Sequence, residues 1–185
     1  ELFYFCFYHY LYSNKKLDAI LSKIFPYLEK FVKEDAPEFY WRYLSANGQY
    51  FKAALNLWEF INNTKDIYIE ERIKLIKLGI RYSCDNNSLK NEFKSFLKLD
   101  EIQLELMNRT NFIEDYGYCI FTPYDLYIEC ATYKNWDLVL RLLSNFPFKS
   151  KKEFVLSKIW ENFFNQCFYS ASMFDSTAGL KYFFS

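Results

Sequence analysis

Apolar residues recur along the chain at steps of three and four, the period that gathers side chains on one face of an α-helix. Leu17, Ile20, Leu21, Ile24 and Phe25 form the first such stripe, predicting a helix over Leu17–Phe25. Pro26 suits the first turn of a new helix over Pro26–Lys33, where its missing N–H costs nothing. Asp35 ahead of Pro37, followed by Glu38, repeats the start signal, and Phe39, Tyr40, Tyr43 and Leu44 supply the stripe of the helix that follows. Asn47-Gly48 ends that helix, because both residues tolerate the left-handed backbone found past helix ends. The next helix, over Gln49–Asn62, carries Phe51, Ala54, Leu55, Trp58 and Ile61. Trp41–Trp58 therefore reads as a helical hairpin with Trp41, Ala54 and Trp58 inside. The small pair Ala53-Ala54 lets its two helices approach closely.

The same rhythm continues. Ile69, Ile73, Ile76 and Ile80 predict a helix over Ile69–Arg81, and Cys84 to Asn87 breaks it. Ser88 is the expected cap of the longest helix, reaching about Thr110. That helix has Leu89, Phe93, Phe96, Leu97, Leu104 and Met107 on one face and Asp100 within the seam. Ile102 and Leu106 lie off that face, so contact from two sides is expected. Thr122-Pro123 opens a helix holding Leu126, Ile128, Cys130 and Ala131; Trp136–Leu143 follows, ended by Phe146-Pro147. Lys152–Phe164 is the next helix, and Phe168–Ser185 is compatible with a last one. Glu1–Tyr12 is nearly all apolar or aromatic, yet shorter than the roughly 20 residues a bilayer span requires. A helix apolar all round is expected to be buried on several sides. In sum, the pattern predicts about ten helices, no strand and no Ser-, Gly- or Pro-rich linker.

Composition narrows the class to all-α. Among 185 residues there are only four Gly and four Pro, where ordinary usage is about 7% and 5%. So few breakers argue against a sandwich, a barrel or any turn-rich fold. Aromatic residues make up 23% and apolar residues 51%, which excludes a disordered chain. The 23 basic and 23 acidic side chains cancel, so no net field draws nucleic acid or an anionic membrane. The first residue is Glu1 rather than Met, and the expectation is one helical solenoid domain over residues 1–185, a fragment of a larger protein.

Little in the chain points to catalysis. Cys6, Cys84, Cys119, Cys130 and Cys167 are odd in number and none is paired at a two-residue gap; they read as small buried hydrophobes in a reducing compartment. His9 has no second His with which to complete a metal site and reads as a packed or interfacial side chain. Gly48, Gly79, Gly117 and Gly179 are too scattered for a phosphate loop. The adjacent carboxylates Glu34-Asp35, Glu70-Glu71, Asp100-Glu101 and Glu114-Asp115 point about 100° apart on a helix and read as solvated starts and faces. Lys149, Lys151, Lys152 and Lys158, near Phe148 and Phe154, form the one basic cluster. A soluble loop and helix start accounts for it, with phosphate contacts or an acidic peptide as alternatives. No catalytic, cofactor-binding or metal-binding residue is assigned, and no partner-binding residue.

Several segments occur in a recognisable order: PYLEKF at Pro26–Phe31, WRYLSANGQYFKAALNLW at Trp41–Trp58, IYIEERIKLIKLGIRYS at Ile67–Ser83, DEIQLEL at Asp100–Leu106, PYDLYIEC at Pro123–Cys130 and IWENFF at Ile159–Phe164. This order resembles the C-terminal α-helical domain of the non-repetitive nucleoporin family, the large inner-ring scaffold protein of the nuclear pore complex. Ile69-Glu70-Glu71-Arg72-Ile73 and Ile102-Gln103-Leu104 carry most of the specificity. The resemblance covers about residues 20 to 165; the short loops, the end at Ser185 and the missing N-terminal propeller depart from the family.

The resemblance implies an α-solenoid of stacked antiparallel helix pairs and a structural, non-enzymatic role without a cofactor. It implies a nuclear pore location in the nuclear envelope and support of nucleocytoplasmic transport of mRNA and protein. The implied partners are other nucleoporins, through disordered linker segments laid in an inter-helix groove. No small-molecule substrate and no direct nucleic acid are implied, and membrane contact only through the larger assembly. The competing reading is a generic helical-repeat adaptor or vesicle-coat-type protein, although the chain lacks a regular 34-residue period.

Overall fold

The computed structural model describes residues 1–84, 86–110, 114–148, 157, 159–162 and 164–165. Among them the fold is all-α: α1 (Leu2–Ser13), α2 (Leu28–Glu34), α3 (Tyr40–Ala46), α4 (Tyr50–Asn63), α5 (Ile69–Tyr82), α6 (Asn87–Thr110), α7 (Pro123–Thr132) and α8 (Trp136–Asn145), with short 3-10 turns at Leu17–Ile20, Pro37–Phe39 and Glu114–Tyr118. Consecutive helices pack as antiparallel pairs. Two compact units are present: Glu1–Leu104 with Ile113–Ile120, and Glu105–Phe112 with Phe121–Ser185.

In the first unit, α3 and α4 form the expected hairpin. Gly48 sits at φ 74, its N–H bonds Ser45 C=O at 3.1 Å, and the N–H of Gln49 reaches back to Leu44 C=O at 2.9 Å. This is the Schellman closure, which satisfies carbonyls the helix end would leave open. Two more helices end in the same way. Lys16 N–H bonds Leu11 C=O behind Lys15 at φ 55, and Asn135 N–H, in the second unit, bonds Cys130 C=O behind Lys134 at φ 56. The low glycine content is thus met in part by placing lysines in the left-handed region.

Ala53 and Ala54 are wholly buried, as the close crossing requires, and Trp41 is 6% exposed while Trp58 is half-buried. The buried face of α4 is Ala53, Ala54, Leu57 and Ile61, the face that packs against α3 and α5. Phe51 and Leu55, expected on the core stripe, are exposed. Trp41, Ala54, Leu57, Ile61, Ile76 and Phe93 belong to one core. A second gathers Tyr8, Leu17, Leu28, Phe31 and Val32 beneath α1 and α2.

Two N-terminal expectations are corrected. Leu17–Phe25 is not a helix but a single 3-10 turn over Leu17–Ile20. Lys15 at positive φ closes α1 just before this segment, and Pro26 disfavours a helical backbone at Phe25, so the segment is bounded at both ends. Leu17, Ile20 and Leu21 are still buried, but Ile24 is 98% exposed. Helix α1 buries only Tyr8 fully, whose hydroxyl donates to Pro26 C=O at 2.6 Å; Leu2 and Phe3 are exposed.

Helix α5 crosses α6 at Gly79. A Cβ there would lie 2.3 Å from Cζ and 2.4 Å from Cε1 of Phe93, so glycine is what lets that ring sit against α5. The cap of α6 is Asn86, not Ser88: its Oδ1 accepts the N–H of Leu89 at 2.9 Å. The expected second side of α6 is real, since Ile102 and Leu106 are buried, while Phe96, Leu97, Leu104 and Met107 are half-buried.

In the second unit, Thr122 begins α7 with a capping box: its hydroxyl accepts Asp125 N–H, and Asp125 Oδ2 accepts Thr122 N–H at 3.2 Å. Leu126 and Cys130 of α7 and Leu138, Val139 and Leu142 of α8 are buried, so each helix shows one apolar face. Arg109 binds Asp137 at 2.8 Å and Asn135 at 3.3 Å, and Glu105 receives both Arg109 and Arg141. Burial alone would raise the Asp137 carboxyl; the Arg109 bonds outweigh it and hold it below its ordinary value. The helix expected over Lys152–Phe164 is only partly described, with Ile159 buried and Trp160 exposed. The tail from Phe168 lies outside the described residues.

Candidate functional site

Among the described residues of the first unit, a buried polar cluster joins the two segments that carry the family resemblance. Arg72 of α5 and Asp100 and Gln103 of α6 are 1%, 2% and 1% exposed. Arg72 Nε donates to Asp100 Oδ2 at 2.7 Å and Nη2 to Oδ1 at 3.0 Å, a bidentate fork. Arg72 Nη2 also donates to Gln103 Oε1 at 3.2 Å. The amide of Gln103 then donates to Tyr116 C=O at 2.7 Å and Cys119 C=O at 3.1 Å, fastening the Glu114–Tyr118 turn. Burial pushes the Asp100 carboxyl above its ordinary value, and Arg72 offsets only part of that. Asp100 lies in the seam of α6, as its place in the stripe predicts; the reading of the Asp100-Glu101 pair as a solvated face is corrected for Asp100, because Arg72 of α5 reaches across to it. Asp100 falls at the right depth in the seam, but no local pattern reveals the arginine that partners it. The cluster is a structural clamp rather than an acid–base pair, since the guanidinium occupies both carboxylate oxygens.

The other candidates disperse. Glu34, Asp35, Glu70, Glu71 and Glu101 are exposed, as expected. His9 is exposed and packs edge-on against the Phe31 ring with centroids 4.9 Å apart, an interfacial position. Cys130 alone among the described cysteines is buried; Cys6, Cys84 and Cys119 are exposed, contrary to the expectation of buried thiols. Cys6 falls on the outer side of α1, while Cys84 and Cys119 lie in the connections that follow α5 and the Glu114–Tyr118 turn. Lys149, Lys151, Lys152 and Lys158, with Phe154, Cys167 and the Glu114-Asp115 side chains, lie outside what the structure describes. Among the described residues no three His, Cys, Asp or Glu side chains form a metal-sized group, and no helix is long and apolar enough to cross a membrane.

The surface offers a different kind of feature. A shallow groove of about 500 Å³ opens between α4 and α6, lined by Trp58, Ser88, Asn91, Glu92, Ser95 and Phe96. Trp58 stands edge-on to Phe93 at 5.0 Å and to Phe96 at 4.8 Å. An aromatic wall with a polar rim is suited to holding a peptide side chain. Of the α4 stripe residues Phe51, Leu55 and Trp58, which the spacing assigns to the core, Trp58 lines the groove.

No protein-family model matches the chain, and no curated protein matches it. Solved structures do. The chain is similar to the Nup170 C-terminal domain of Chaetomium thermophilum in its complex with Nup145N, with a TM-score of 0.71 and 20% identity over 92% of this chain. It is likewise similar to a methionine-substituted mutant of the same domain, with a TM-score of 0.74 and 21% identity over 93% of this chain. The chain spans 38% of the length of each. The likeness shows the fold, an α-solenoid of stacked helix pairs.

Proposed function

We propose that this chain is a scaffold segment of the nuclear pore complex, one continuous α-solenoid stretch of a larger nucleoporin, with no enzymatic activity. The observation that carries this reading is the shared fold with the Nup170 C-terminal domain over more than nine-tenths of the chain. The order of the segments from Pro26–Phe31 to Ile159–Phe164 supports it independently. One of those neighbours is a complex with Nup145N, which supports other nucleoporins as the partner class here. Such a partner would lay a disordered linker segment into a groove between neighbouring helices, where buried aromatic contact supplies affinity and polar groups set register. The entropy lost on ordering the linker keeps such binding moderate. Location at the nuclear envelope, support of mRNA and protein transport, and membrane contact through the larger assembly follow from the same reading.

The test is localisation of the full-length protein carrying a fluorescent tag at its own locus. A rim at the nuclear envelope, with other pore proteins recovered by immunoprecipitation, is the expected result. A diffuse cytosolic signal or a Golgi pattern overturns it and favours the vesicle-coat adaptor.

A further inference from the structure

Phe51, Leu55 and Trp58 stand at i, i+4 and i+7 on α4 and therefore share one side of that helix. Phe51 and Leu55 are exposed and lead along the helix toward Trp58, whose ring enters the groove described above. Across the groove, Ser88, Glu92, Ser95 and Leu99 share one face of α6, and of these four only Leu99 is buried. The open part of that face carries small polar side chains and nothing large enough to close it. Its single charge is Glu92, for which no hydrogen bond or ion pair is present among the described residues. Lys90 and Lys94 flank it in sequence but project about 160° away around the helix. The positive end of α6 favours an anion, but its influence fades within the first turn, whereas Glu92 places a full negative charge at the groove itself.

We propose that this groove is a docking site for a short linear segment of a partner protein that carries an aromatic or aliphatic anchor and, within three or four residues of it, a lysine or arginine. The anchor packs on the rings of Trp58 and Phe96, and the cation meets Glu92. The hydroxyls and amide of Ser88, Asn91 and Ser95 meet the peptide backbone, and the Phe51–Leu55 ridge extends the apolar contact along α4. The inference rests on the scaffold reading and names the chemistry of the partner that such a scaffold would hold.

The experiment pans a phage library of random 12-residue peptides against the full chain, then titrates the enriched sequences as fluorescein-labelled peptides by anisotropy. The expected winners pair an apolar anchor with Lys or Arg. Ser95→Trp, which fills the groove without removing a core ring, should weaken them by about tenfold or more. Glu92→Lys should weaken them a few-fold at low salt, with the loss shrinking at high salt. Circular dichroism confirms that both variants keep their helices. Winners that are acidic, winners that bind Ser95→Trp as well as the parent, or an unenriched library each overturn the groove. None of these bears on the nuclear-rim test, so the groove and the scaffold reading fail separately.

Discussion

Arg72 and Asp100, 28 residues apart in sequence, meet as a bidentate pair in the interior of the first unit. Neither has water to fall back on, and Gln103 ties the pair to the Glu114–Tyr118 turn. Such a pair contributes little net stability when intact but is costly to break, because the survivor is left as an uncompensated buried charge.

Asp100→Ala should therefore destabilise the protein by about 3–5 kcal/mol, while replacing both residues with apolar side chains of similar volume should cost far less than that. Urea denaturation of the two variants decides it. A single variant that unfolds with the parent would mean Arg72 finds water in place of its partner.

Gly79→Ala should cost about 1–3 kcal/mol, because its new methyl would meet the Phe93 ring at 2.3–2.8 Å. In a Phe93→Leu background the same change should be nearly silent. Thermal melts of the four proteins give a coupling energy; additive effects would show that the ring already moves freely.

Lys15→Gly and Lys134→Gly should each stabilise by roughly 1 kcal/mol, since both lysines hold positive φ at a helix end. Gly48 already occupies the equivalent position after α3. A lower melting temperature for both variants would show that the lysine side chains themselves secure those turns.

Burial pushes the Cys130 thiol up to about 12, with Asp137 adding to the rise. Because the folded value lies above the unfolded one, this group's contribution is complete below the unfolded thiol value, near 8.5, and is lost as pH climbs toward 12. Cys130→Ser should flatten the alkaline limb of stability against pH. In the native protein at pH 8, a thiol reagent should label Cys6 and Cys84 while sparing Cys130; equal labelling of all three would refute the buried placement.

How much of this was legible beforehand differs by element. Helix type, the Asn47-Gly48 turn, the Thr122-Pro123 start and the Phe146-Pro147 stop rest on interactions within a few residues, which a local reading captures. Which side of a helix is inside does not. Phe51 and Leu55 belong to the apolar stripe of α4 yet face out, because α3 and α5 approach from the Ala53, Leu57 and Ile61 side. Leu17–Phe25 has helical spacing yet forms only a 3-10 turn over Leu17–Ile20, bounded by Lys15 at positive φ and by Pro26. Asp100 falls in the seam of α6 by sequence, but that Arg72 meets it there is decided only when α5 and α6 pack. Local periodicity specified the helices; their pairing alone decided the buried faces, the clamp and the open groove, because burial is a property of neighbours distant in sequence.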